Sequence, residues 1–76
     1  MERNPINEIT GSMKFWRQYR NLTQADLAKE CGVTIQTIAN LENGKYPISK
    51  PMLITIATAL KINKEQIALP YELAET

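Results

Sequence analysis

The stretch LTQADLAKECGVTIQTIANLENGK, Leu22 to Lys45, reads as two short helices meeting at a tight corner. Thr23 is an N-cap residue with Asp26 three positions on, a capping-box-like opening, and Leu27 and Ala28 face inward from the helix that follows. That helix is expected to end at Cys31, because Gly32 supplies the left-handed backbone that a helix end requires. Val33 leads to Thr34, the cap of the next helix, which Ile38 and Leu41 anchor and which stops in Glu42, Asn43, Gly44. Helices that cross so closely need a small side chain at the approach, which Ala28 provides.

Outward from this stretch the chain stays helical in pattern. Upstream, Met13, Trp16 and Arg20 share a face, and Ile6 and Ile9 extend the stripe back toward Asn4 and Pro5, with Gly11 as its weak point. Downstream, Lys45 to Ile48 form a loop containing Pro47, and Ser49 caps a helix running to about Leu60. Leu53, Ile56, Ala57 and Leu60 take core spacing there, with Pro51 tolerated in the first turn. Asn63 caps a short final helix carrying Ile67, and Pro70 separates it from a tail with Tyr71 and Leu73. No segment alternates as a strand does, so the class is all-α. We divide the chain into an arm or helix extension over 1–12, a domain over 13–68 and a tail over 69–76.

The chain has 76 residues, 43% of them apolar and 22% charged, which suits one small globular domain without a deep enclosed cleft. Its net charge is only +1, yet residues 13–64 hold eight Lys or Arg against Asp26, Glu30 and Glu42, a formal +5. The single cysteine, Cys31, has no partner for an internal disulfide and no His for a metal or catalytic pair, which fits a reducing, cytoplasmic setting. No apolar run approaches the roughly 20 residues of a membrane span, and the acidic start is unlike a signal peptide, so a soluble protein is expected. Paired acids and Gly-rich phosphate loops are also missing, so neither an enzyme nor a cofactor is expected.

With Leu27, Val33, Ile38 and Leu41 turned inward, Thr34, Ile35, Gln36, Thr37 and Asn40 are left on the outer face of the second helix. Gln and Asn can each pair bidentately with adenine N6 and N7. Gln36 is therefore the leading candidate for base contact, followed by Asn40, with Thr37 offering a hydroxyl and Ile35 an apolar contact to a thymine methyl. Gln24, Thr23 and Thr34, the main chain near Asn43 and Gly44, and the basic Lys45 and Lys50 are candidates for the phosphate backbone. Phe15 and Tyr19 form a second stripe on the first helix, expected to pack against a terminus, whereas Trp16 is expected in the core.

Leu22 to Lys45 resembles the Cro and repressor type of helix-turn-helix found in lambdoid phage regulators and many bacterial regulators. Gln24, Leu27, Ala28, Gly32 and the ending Glu42, Asn43, Gly44, Lys45 carry the resemblance. It implies a compact five-helix, lambda-repressor-like fold and a homodimer on a two-fold operator, with recognition helices about 34 Å apart. It also implies a structural pair between Arg17 and Glu42. Ile35 departs from family members that place a polar reader there, and the loop after Lys45 carries Tyr46, Pro47 and Ile48 with no Arg. The dimer surface is assigned to helix 5 and the tail, through Ile67, Leu69, Tyr71 and Leu73. The implied function is a transcriptional regulator binding double-stranded DNA, most simply a repressor. The alternatives are an antitoxin whose tail binds a toxin, or a protein-binding module that keeps the fold without touching DNA.

Overall fold

A computed structural model describes residues 9–69. Among these residues four α-helices follow in order, α1 (Met13–Tyr19), α2 (Gln24–Cys31), α3 (Ile35–Glu42) and α4 (Lys50–Leu60), and a 3-10 turn covers Lys64–Gln66. Each α-helix opens on a hydroxyl: the side chains of Ser12, Thr23, Thr34 and Ser49 accept from the N–H three residues ahead. A cap of this kind contributes about 1 kcal/mol. The four helices also end alike. Left-handed residues at Asn21 (φ 59°), Gly32 (φ 70°), Gly44 (φ 68°) and Lys61 (φ 60°) turn the chain. The next N–H then bonds back to a carbonyl five residues earlier, as from Val33 to Ala28 at 2.9 Å and from Lys45 to Asn40 at 2.9 Å.

Because caps and left-handed stops sit so close together, the helices are short and depend on a shared core. Trp16, Leu27, Ile38, Ile56 and Leu60 are its fully buried large side chains, with Ala28 at the approach of α2 to the rest. Burying a side chain of this size is worth about 2 kcal/mol. The Trp16 indole N–H is satisfied by the Gln66 carbonyl at 2.8 Å, so Trp16 is a packing residue as expected. Arg20 reaches across from the end of α1 and donates to the carbonyls of Leu60, the last residue of α4, at 2.8 Å and of its cap Lys61 at 3.1 Å. Its guanidinium lies 5.1 Å from the centre of the Tyr19 ring.

Two expectations change. The stripe through Ile9 does not continue α1: Ser12 caps the helix at Met13, and residues 9–12 are not helical. Gly11 instead forms an isolated parallel bridge with Ile67, and Phe15 covers it so closely that a Cβ there would lie 2.3 Å from the ring. Ile6 lies outside the described residues. In place of a fifth helix stands the 3-10 turn, after which Ile67 is extended (φ −92°, ψ 116°) to meet Gly11. Helical dihedrals at Ile67 would break that bridge, and Pro70 disfavours helix at Leu69. Gln66 ties the segment before α1 to the turn after α4, its side chain donating to the Ile9 carbonyl at 3.1 Å and accepting from the Asn63 N–H at 3.0 Å. Among the described residues no helix is long and apolar enough to cross a membrane.

Candidate nucleic-acid interface

Helix α3 has two unlike faces. Ile38 and Leu41 are buried on the inner one, and beside them Glu42 is held by three donors. Arg17 meets it in fork geometry, Nε to Oε2 at 2.7 Å and Nη2 to Oε1 at 3.3 Å, while Gln24 Nε2 donates to Oε1 at 3.1 Å. Arg17 also donates to the Leu22 carbonyl at 2.9 Å. The two charged side chains keep only 10% and 4% of their exposure, so α1, the head of α2 and the end of α3 share one buried charge-neutral node.

The outer face carries the candidate readers. Gln36 is exposed, its Nε2 donating to Asn40 Oδ1 at 3.0 Å, and Asn40 Nδ2 donates onward to Tyr46 Oη at 3.4 Å. Thr34 and Thr37 share a hydroxyl contact of 2.9 Å, Thr34 also accepting from the Thr37 N–H. Ile35 is 52% exposed, a high value for an isoleucine. The structure thus brings Gln36, Asn40, Thr37 and Ile35 onto one accessible helix.

The backbone candidates divide. Thr23 accepts from the Asp26 N–H at 3.0 Å, and its own hydroxyl turns back toward the Asp26 carboxyl, so it is engaged within the cap. Gln24 sits at the first position of α2 and retains one N–H and its carbonyl oxygen beyond the bond to Glu42. Lys45 and Lys50 are both exposed. The main-chain N–H groups of Asn43, Gly44 and Lys45, however, donate to the carbonyls of Ala39, Leu41 and Asn40. They close the end of α3 and are not open to a phosphate, so at Asn43 only the exposed side chain is at hand. At the cap of α2, the Thr23 main-chain N–H and then its hydroxyl hold the Asp26 carboxyl below the usual carboxylate range. Burial and then the nearby Glu30 push the Cys31 thiol up, making it a poor nucleophile.

In the sequence Tyr46 stands only as part of a loop without Arg, with no contact assigned to it. It follows a glycine corner in a loop, and only the fold of that corner brings its hydroxyl to Asn40.

Two short helices joined through a left-handed glycine, the second burying one face and presenting a polar other, define the helix-turn-helix class. Residues 13–67 match the model of the family described as helix-turn-helix, and the chain belongs to that family, in its Cro/C1 type. It is also 44% identical over 59 residues to an uncharacterized HTH-type transcriptional regulator of Methanocaldococcus jannaschii, covering 78% of this chain and 89% of that protein. DNA binding in transcription regulation is therefore the functional class.

Proposed function

We propose that this protein is a sequence-specific repressor that binds double-stranded DNA as a homodimer on a two-fold site. One observation carries the reading: the exposed face of α3 places two carboxamides, Gln36 and Asn40, one turn apart and beside the apolar Ile35. That set fits the edge of an A·T-containing site in the major groove. Thr37 adds a hydroxyl, while Thr23, Gln24, Thr34, Lys45, Lys50 and the Asn43 side chain supply backbone contacts that fix register. The dimer surface is proposed on the segment after α4 and the tail. Ile67 is buried in its own protomer and Leu69 is half-buried against the same core, while Tyr71 and Leu73 lie outside the described residues.

Selection from randomised duplexes, followed by sequencing of the bound pool, tests the reading. The expected pool carries two inverted half-sites separated by about one helical turn. A single unrepeated half-site would remove the dimer, and an unenriched pool would remove sequence-specific binding. On the selected site Gln36→Ala is expected to cost about 1 to 3 kcal/mol while affinity for unrelated DNA holds.

A further inference from the structure

We propose that Tyr46 is a specificity-determining residue, a positioning residue that fixes the direction in which the amides of α3 face DNA. The inference rests on the DNA-reading role proposed for Gln36 and Asn40.

The three side chains form a directional relay, from Gln36 Nε2 to Asn40 Oδ1 at 3.0 Å and from Asn40 Nδ2 to Tyr46 Oη at 3.4 Å. A carboxamide has one donating and one accepting end, so the atom that Gln36 turns toward Asn40 dictates the atom it turns away. In the observed direction the outward atom is Oε1, an acceptor, which matches the amino group of adenine or cytosine. In the opposite direction Tyr46 would donate to Asn40 Oδ1, Asn40 Nδ2 would donate to Gln36 Oε1, and the outward atom would be Nε2. That atom matches the keto oxygen of guanine or thymine. Both chains of bonds are chemically complete, so the choice falls to the group at the end.

A phenol hydroxyl at that end makes the choice, because it has one proton. Tyr46 is 42% exposed and lies next to Lys45, in the loop that leaves α3. When its O–H donates outward to a phosphate oxygen, the oxygen is left to accept from Asn40, which enforces the observed direction. Hydrogen-bonded chains polarise along their length, so a donation at the phosphate shortens the long 3.4 Å link and stiffens the link beyond it. A backbone contact thereby sets what is read in the groove. Phenylalanine keeps the ring and removes only the end of the chain.

The test compares wild type with Tyr46→Phe on the selected site, on its variants at the base pair facing Gln36, and on an unrelated duplex. Melting temperatures of both proteins and side-chain amide NMR spectra of the free proteins accompany the titrations. In wild type, amino-bearing bases at that position are expected to be preferred over keto-bearing ones by about tenfold. In Tyr46→Phe the preference should drop to about threefold or less, on top of a smaller loss shared by every duplex from the missing phosphate contact, with the melting temperature unchanged. The Asn40 amide protons should shift, followed by those of Gln36. Equal losses on every duplex would make Tyr46 a plain phosphate contact and overturn the proposal. So would unmoved amide signals in a protein that still discriminates. A wild-type protein without any site preference would instead remove the DNA-reading role itself, and this proposal with it.

Discussion

The two sides of α3 each carry a three-residue polar network, and they differ in every respect that governs strength. Arg17, Gln24 and Glu42 converge on one carboxylate, largely out of solvent, with bonds as short as 2.7 Å and both charges cancelled. Gln36, Asn40 and Tyr46 form an open chain in solvent, without charge, whose links lengthen from 3.0 to 3.4 Å. In the free protein water can replace either link of the outer chain at little cost. It cannot easily reach Glu42. One helix is thus held rigidly on its buried side and left exchangeable on the side that faces out.

The largest expected effect breaks the inner network. Arg17→Ala should lower stability by about 3 kcal/mol or more, read by urea denaturation, because it strands Glu42 in a site from which water is mostly excluded. The paired change Arg17→Met with Glu42→Leu should recover most of that loss, since it removes both charges together. A single variant that unfolds within about 0.5 kcal/mol of wild type would place the pair in effective contact with water and erase the contrast.

The contrast also marks what the sequence made legible. Caps and stops are local, so Thr23 with Asp26, Gly32, Thr34, Gly44 and Ser49 were all identifiable from neighbours within five positions. The core followed from spacing, as at Leu53, Ile56, Ala57 and Leu60. The pair of Arg17 with Glu42 came only from family resemblance, since no periodicity links positions 25 apart. What escaped was tied over longer distances or through loop geometry. Gln66 bonds Ile9 across 57 positions, and the bridge from Gly11 to Ile67 replaced both an extended α1 and a fifth helix. Gln24, assigned to phosphate from its place at the head of α2, shares its amide with Glu42. Tyr46 reaches Asn40 only because Gly44 turns the loop back.

A smaller effect is expected on the apolar part of the outer face. Ile35 is 52% exposed, so Ile35→Ala should leave stability within about 0.5 kcal/mol of wild type. Its role appears only against DNA. Replacing each thymine of the selected site by uracil removes one methyl at a time, and wild type should lose about 1 kcal/mol at the thymine that Ile35 touches. The alanine variant should not distinguish thymine from uracil there. Equal sensitivity in the two proteins would mean that no methyl sits against Ile35 and that readout is wholly polar.

The smallest effect lies at the cap of α2, where an exposed pair can be compared with the buried one by changing pH. The Asp26 carboxylate accepts from the Thr23 N–H at 2.9 Å, and that bond is the first cause of its lowered pKa. A carboxyl whose pKa is lower in the folded chain stabilises the fold above its unfolded pKa. That stabilisation is lost as pH falls through the folded value. Asp26→Asn keeps an acceptor but removes the charge, at a helix N-terminus that favours a negative one. At neutral pH the variant should therefore melt below wild type, and the gap should close on acidification through the carboxylate range. High salt should narrow the gap as well, because Asp26 lies fully in solvent. A gap that persists unchanged into acid would show that Asp26 acts by shape alone.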